Sequence, residues 1–176
     1  MKLYHGSPVP GITQLDPARS SDGQSHVFLT HSDALAVLYA HNPLTRPNGW
    51  FPYYWDREGN LHYDEYFPGA TVEIYGGQGG WVYTCEGDYP HREDMPWVYL
   101  ADQPVPVLER RFIPDIYQEL LELERAGRLT ITRYETLSEQ GLAFVRRIIQ
   151  REIGRLREHP NEEYAAYIHA HFPDLL

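Results

Sequence analysis

The stretch Tyr4-His5-Gly6-Ser7, "YHGS", decides how the rest of this chain is interpreted. An apolar, strand-like segment begins at Lys2 and ends in this histidine, glycine and serine. Glycine and serine before a proline are ordinary turn residues, so a plain turn is one interpretation. The other is a ligand site, where the missing side chain of Gly6 lets main-chain donors and acceptors approach a small molecule.

The segment "HVFLTHSDALAVLYA", from His26 to Ala40, predicts a strand followed by a helix. Thr, Ser and Asp at its centre are typical helix-capping residues, and apolar residues then recur at helical density. Phe28 lies in the predicted strand, and Tyr39 follows eleven residues later in the predicted helix. Taken alone, neither this segment nor "YHGS" decides between a plain turn and a ligand site.

The two segments together resemble the ADP-ribosyltransferase fold of the histidine-tyrosine-glutamate class, which includes diphtheria toxin and the poly(ADP-ribose) polymerases. In that class a first strand ends in His-Gly-Ser or His-Gly-Thr, a later strand carries an aromatic residue, and a tyrosine follows in the next helix. The resemblance extends over residues 1–40 and, more loosely, 81–107. It implies an α+β fold with an ADP-ribosyltransferase-like split β-sheet, and NAD as the substrate.

The resemblance also implies roles for individual residues. His5 would hydrogen-bond a ribose hydroxyl, and Tyr39 would stack on the nicotinamide ring, whose flat face favours contact with another π-system. The main chain of Gly6 would hold the nicotinamide carboxamide, and Phe28 would form a wall of the pocket. The cofactor-binding residues implied in this way are Gly6, Ser7, Phe28 and Thr30.

The third element of the class is a glutamate at the start of a later strand, where it stabilises the developing ribosyl cation. The aligned position here is Met95, which cannot do so. Glu93 in "HREDMP" is the predicted catalytic carboxylate if the alignment slips, with Asp94 and then Glu86 as the next candidates. The alternative is that this segment is only an acidic surface turn.

Three functions therefore stay open. The first is an NAD-dependent ADP-ribosyltransferase that modifies an unknown macromolecular acceptor or hydrolyses NAD. The second is a catalytically inactive binding or interaction module of the same fold. The third is an enzyme acting on RNA ends, like the 2'-phosphotransferases that share the fold, although this chain lacks an arginine-rich phosphate grip.

Composition limits the partners and the compartment. The 176 residues suffice for one ordinary domain, and a hydrophobic share of 42% with 14% aromatic residues indicates a folded globule. A net charge of -10 repels phosphate backbones, so nucleic-acid binding would require a local basic patch. A single cysteine, Cys85, and no signal-like start predict a cytoplasmic protein. No apolar run suggests a membrane partner, and the histidine spacing predicts no metal site.

The predicted organisation is an ADP-ribosyltransferase-like domain over residues 1–113, with an aromatic insertion at 42–80, and a helical C-terminal extension over 114–176 packed on the same domain. Within the insertion, a hairpin is predicted to turn at Gly59-Asn60. The insertion is interpreted as a lid over the ligand, an acceptor-recognition surface or a small satellite core.

In the C-terminal extension, local patterns predict helices and one strand. The apolar spacing after Asp115 predicts a helix, and Leu129 to Thr132 predict a short last strand. Thr136 and Glu139 suggest a capping box before a long amphipathic helix, and Asn161 is the predicted cap of a final short helix. Arginines on the long helix indicate a solvated face, with partner or nucleic-acid docking as the alternative.

Overall fold

A computed structural model of the chain describes residues 1–19, 25–41 and 52–175. The chain divides into two compact units, which are described separately. Unit 1 comprises Met1–Asn42 and Tyr75–Arg128, and unit 2 comprises Pro43–Ile74 and Leu129–Leu176. Both units contain strands and helices, so the α+β class is confirmed.

Unit 1 is built on a six-stranded sheet with the order β10-β7-β1-β4-β3, and β8 also pairs with β4. A separate two-stranded ladder joins β2 to β9. The strands are β1 (Lys2–Ser7), β2 (Gln14–Leu15), β3 (Ala18–Arg19), β4 (Ser25–Thr30), β7 (Gly80–Glu86), β8 (Val98–Ala101), β9 (Val105–Pro106) and β10 (Glu109–Ile113). The helices are α1 (Asp33–Tyr39) and α3 (Ile116–Arg125). The short β9 contains Pro106, as expected for a residue that cannot donate to a ladder.

Apolar side chains from one face of this sheet form one core cluster of unit 1. Alternation along each strand turns Leu3, Val27, Leu29 and Cys85 to the same interior, where all are almost fully buried. Helix α1 begins after Ser32, whose hydroxyl accepts a hydrogen bond from the Leu35 amide at 3.2 Å. The predicted strand-to-helix unit is therefore present, with β4 followed directly by α1.

Unit 2 has a three-stranded sheet with the order β11-β6-β5. Its strands are β5 (Tyr53–Trp55), β6 (Leu61–Asp64) and β11 (Thr130–Thr132), and its helices are α2 (Ala70–Tyr75), whose last residue falls in unit 1, α4 (Glu139–Glu158) and α5 (Glu162–His171). Two short 3-10 helices cover Tyr134–Thr136 and Pro173–Leu175. The predicted hairpin is confirmed, because β5 pairs antiparallel with β6 around Gly59.

The core of unit 2 joins residues that are distant in sequence. Phe67 and Ala70 pack with Val145 and Ile149 of α4 and with Ile168 of α5. The buried carboxylate of Glu65 accepts hydrogen bonds from the amide and hydroxyl of Thr71, at 2.9 and 2.6 Å, and from the Tyr134 amide at 3.3 Å. Glu65 therefore has a structural role in joining the two chain segments of the unit.

The division into units differs from the predicted boundary at residue 113. Helix α3 belongs to unit 1, whereas β11 pairs in parallel with β6, so part of the predicted insertion shares a unit with the C-terminal helices. This grouping follows from the pairing of β6 with β11. The two strands are distant in sequence, so no local sequence pattern predicts their pairing. Residues 42–51 of the insertion, including Trp50, lie outside the described residues.

One helix cap differs from the prediction. Ser138, not Thr136, precedes α4, and its hydroxyl accepts a hydrogen bond from the Gly141 amide at 3.1 Å. Thr136 lies in the preceding 3-10 helix and donates its hydroxyl to the Arg133 carbonyl at 2.8 Å. The capping-box prediction was wrong because a short turn displaced the helix start. At α5, the predicted cap Asn161 is confirmed, accepting from the Tyr164 amide at 2.8 Å.

Candidate ligand site at the split between two strands

The candidate site is defined by the direction in which the main-chain N–H and C=O groups of β1 point. Beyond the end of β7, the Gly87 amide donates to the Met1 carbonyl at 3.1 Å. On the other side of β7, the Leu108 amide donates to the Thr84 carbonyl at 2.8 Å. Because these groups alternate along an antiparallel ladder, odd-numbered residues of β1 bond to β7. The N–H and C=O of Gly6 therefore point away from β7, toward β4.

The same alternation directs Phe28 of β4 toward β1. On the outer side of β8, the Leu100 amide donates to the Pro90 carbonyl at 2.8 Å, so the odd-numbered residues of β8 bond to β4. The main-chain N–H and C=O groups of Val27 and Leu29 therefore bond to β8. Those of Phe28 point to the other edge of β4, toward β1.

The pairing between β1 and β4 is confined to one residue pair, Tyr4 with Thr30. The pair that would follow, Gly6 with Phe28, is not formed, so the two strands separate at this point. By contrast, β1 pairs with β7 along its whole length, from Lys2 to Ser7. The sheet is therefore split beside the "YHGS" segment.

His5 lies at this split and is held by the main chain of the opposite strand. Its Nδ1 lies 2.9 Å from the carbonyl oxygen of Phe28. A carbonyl oxygen can only accept, so Nδ1 carries the hydrogen and Nε2 of the neutral ring is an acceptor. Burial lowers the pKa of His5, opposed in part by the hydrogen bond to Phe28, and this favours the neutral ring. His5 thus keeps an acceptor nitrogen for a ligand hydroxyl.

Gly6 is required by the packing of α1 on β1. A Cβ at Gly6 would overlap the carbonyl oxygen of Ala36 and would lie 2.8 Å from the Ala40 nitrogen. Gly80 on the neighbouring strand approaches Ala40 in the same way. The missing side chain thus admits the helix, while the N–H and C=O of Gly6 are directed to the split.

Phe28 and Tyr39 supply the aromatic groups of the predicted site. The Phe28 side chain is 37% exposed, and its ring meets the His26 ring edge-on with centroids 6.3 Å apart. Tyr39 is the half-buried last residue of α1 and precedes Ala40, which contacts β1 at Gly6. The structure thus brings His5, Gly6 and Phe28 together and places Ala40, the residue after Tyr39, beside Gly6. Convergence of the His5, Phe28 and Tyr39 side chains on one pocket stays a prediction.

Ser7 and Thr30 use their hydroxyls to shape the turns that follow their strands. The Ser7 hydroxyl accepts from the Val9 amide at 3.2 Å, and the Thr30 hydroxyl accepts from the Ser32 amide at 3.1 Å. Both side chains are buried. Their implied contacts with a cofactor stay predictions, to which the structure adds a local positioning role.

The candidate carboxylates lie on the connection between β7 and β8. Glu93 is exposed on a bend. Asp94 is paired with the guanidinium of Arg92 at 2.8 Å, and that hydrogen bond lowers the pKa of Asp94. Glu86 is exposed at the end of β7, opposite Lys2. Among the described residues, no carboxylate hydrogen-bonds to His5.

The structure describes no competing centre built on cysteine or metal chemistry. Burial raises the pKa of the Cys85 thiol to about 11, so this residue is a core side chain and a poor nucleophile. Over the described ranges, no group of His, Cys, Asp and Glu residues is arranged to hold a metal ion. In the same ranges, no helix combines the length and apolarity needed to cross a bilayer.

The comparisons with known proteins add no family to these observations. Neither protein-family models, nor curated proteins, nor solved structures include a match to this chain.

Sequence reasoning anticipated that the main chain of Gly6 would face a ligand, but it did not anticipate the partner of His5, which is the main-chain carbonyl of Phe28. Strand register determines that contact, and residue identity does not report it. The close approach of Ala40 to Gly80 was also missed, although a glycine at the start of a strand is a usable signal for close packing.

Proposed function

We propose that this chain binds NAD at the split between β1 and β4 and is an ADP-ribosyltransferase-like enzyme. The reaction would break the bond between nicotinamide and its ribose, release nicotinamide, and transfer ADP-ribose to an unknown acceptor or to water. The observation that carries the proposal is the direction of the Gly6 N–H and C=O toward the split, next to the neutral His5.

The geometry at Gly6 suits a carboxamide. A carboxamide has an N–H donor and a C=O acceptor, so it can bond to the C=O and N–H of one extended residue at the same time. Nε2 of His5 is an acceptor beside them, which suits a ribose hydroxyl. The amide of nicotinamide and the hydroxyls of its ribose are joined through one ring, so a single ligand supplies both.

The ribosyl cation that develops as nicotinamide leaves requires a nearby negative charge. Stacking by Tyr39 and contact with Phe28 orient the ring but supply no such charge. We assign this electrostatic role to Glu93, on the segment that leads into β8 and so toward Thr30 of β4. Preorganised charges of this kind contribute more than any other single term in many enzymes.

A catalytically inactive NAD-binding module is the second candidate. Two observations favour it: Met95 occupies the position at which the resemblance expects a glutamate, and Glu93 is exposed on a bend. An RNA 2'-phosphotransferase-like activity is the third, and no feature at the split supports it specifically.

The decisive experiment combines calorimetric titration of NAD with measurement of nicotinamide release. Glu93→Gln should leave NAD affinity unchanged and lower nicotinamide release about 100-fold, because the charge acts mainly in the transition state. The matched control is Glu58→Gln, which removes an exposed carboxylate in the hairpin turn of unit 2. Tyr39→Ala should weaken NAD binding itself.

The outcomes separate the candidates. Nicotinamide release that is unaffected by Glu93→Gln contradicts the role of Glu93 and moves it to Asp94 or Glu86. NAD binding without turnover in the unmodified protein identifies the inactive module. Failure to bind NAD at all would refute the proposed function.

A further inference from the structure

The exposed side of α4, in unit 2, concentrates positive charge. Within the described stretch 143–157, no exposed residue is acidic. The one glutamate there, Glu152, is only 2% exposed. The exposed residues are Ala143, Phe144, Arg146, Arg147, Gln150, Arg151, Arg155 and Arg157. We call this set the arginine face.

The arginine face contrasts with the charge of the chain. The whole chain has a net charge of -10, whereas α4 carries five arginines against three glutamates. The other two glutamates, Glu139 and Glu158, lie at the helix ends. The middle four turns of α4 therefore present a basic surface on an acidic protein.

Part of this charge is not used by the fold. Arg151 and Arg155 both bond to the buried Oε1 of Glu152, at 3.2 and 3.0 Å. Arg146 and Arg157 form no ion pair with the described part of the chain. A solvated face would explain single arginines, but three guanidinium groups beyond those needed by Glu152 require a further explanation.

An aromatic ring lies within the same surface. Phe144 is 46% exposed, and the guanidinium of Arg147 lies over its ring at 5.7 Å from the centroid. Residues 144, 147, 151 and 155 follow one side of the helix over about 16 Å. The arginine face thus offers a row of cations with an exposed ring at one end.

We propose that the arginine face binds single-stranded nucleic acid. Guanidinium groups match phosphate oxygens in charge and fork geometry, and an exposed aromatic ring accepts an unstacked base. An acidic protein segment would satisfy the arginines but leaves the exposed Phe144 unexplained. A duplex would not present its bases to the ring. The face also meets the requirement for a local basic patch on a chain of opposite net charge. The proposal does not depend on NAD binding.

The test is fluorescence anisotropy of the full chain with a labelled single strand of about 20 nucleotides, long enough to exceed the face. The variant Arg146→Gln/Arg147→Gln/Arg157→Gln leaves both bonds to Glu152 intact. We expect its affinity to fall at least tenfold at about 50 mM salt, and the slope of log affinity against log salt to decrease by about 2. Phe144→Ala should weaken binding by about fivefold or more through lost stacking.

The matched control, Lys2→Gln/Arg57→Gln/Arg110→Gln, removes three exposed positive charges elsewhere and should bind like the unmodified protein. Circular dichroism should confirm that every variant is folded. Absence of binding at low salt, or equal loss in the control, overturns the proposal. Stronger binding of a duplex, or equally effective competition by polyglutamate of similar length, also overturns it, and the latter identifies an acidic protein as the partner.

Discussion

Two histidines in this protein are each held through one ring nitrogen, but in different surroundings. In unit 1, Nδ1 of His5 donates to a carbonyl at the place where β1 and β4 separate. In unit 2, Nε2 of His62 lies 3.0 Å from the Asp56 carboxylate, inside a hairpin in which β6 pairs over three positions with β5 and with β11. The Tyr54 ring stacks on His62 at 4.9 Å.

The difference separates a candidate ligand site from a structural histidine. Asp56 also accepts from the amides of Glu58 and Asn60, at 2.9 and 2.8 Å, so it organises the hairpin turn, to which His62 adds one more bond. The Asn60 side chain also donates to Asp56, at 2.9 Å. This hydrogen bond, followed by those from the amides and His62, holds the pKa of Asp56 well below its usual range. At His5 the neighbouring ladder is interrupted. Main-chain groups directed to a gap, more than the histidine itself, therefore distinguish the site.

The largest expected effect is on the free energy of unfolding, and it compares one glycine from each of the two regions. Gly6→Ala should lower the free energy of unfolding by about 3 kcal/mol, because the new Cβ overlaps main-chain atoms of α1. Gly59→Ala, in the hairpin turn, should cost only about 1 kcal/mol, because its φ of 83° is the difficulty and open space surrounds it.

Asparagine distinguishes these two causes, since it tolerates a positive φ but is larger than alanine. Gly59→Asn should be nearly neutral and Gly6→Asn at least as harmful as Gly6→Ala, as measured by urea denaturation. Equal losses at Gly6 and Gly59 would contradict the close approach of α1.

An intermediate effect is expected on ligand binding. His5→Gln should reduce NAD affinity about tenfold, because one good hydrogen bond and the orientation of its acceptor are lost. His62→Gln should leave NAD affinity within about twofold, because His62 belongs to an uninterrupted ladder. Calorimetric titration of both variants measures these affinities. Similar losses of NAD affinity in both variants would contradict the assignment of the split as the ligand site.

The smallest effect concerns pH. The pKa of His5 is lowered in the folded protein, so the unfolded chain binds a proton more readily than the folded chain does. This pKa difference stabilises the folded protein above the unfolded pKa of about 6.5, and the stabilisation is lost as pH falls toward the folded pKa. Urea denaturation between about pH 7.5 and 5 should show this decline, and His5→Gln should flatten it. An unchanged slope in that variant would show that another group is responsible.

The local patterns predicted much of the secondary structure because they depend on residues close in sequence. The short apolar run in "HVFLT" predicted β4, the apolar spacing after Asp115 predicted α3, and the turn at Gly59-Asn60 predicted the β5–β6 hairpin. At Ser138 the same reasoning failed by two residues, because Thr136 and Ser138 can both cap a helix. The predicted strand at Leu129 to Thr132 is confirmed as β11.

Sequence alone predicted which residues belong to the candidate site, because "YHGS", Phe28 and Tyr39 lie on strands and a helix whose local patterns are strong. Only the tertiary structure decided that β1 and β4 separate after one residue pair, that His5 bonds to the Phe28 carbonyl, and that Gly6 directs its N–H and C=O into the gap. It also decided that β11 joins β6 rather than the first sheet. The physical reason is that strand register and main-chain direction are set by pairing between distant segments, which the order of side chains along one strand does not specify.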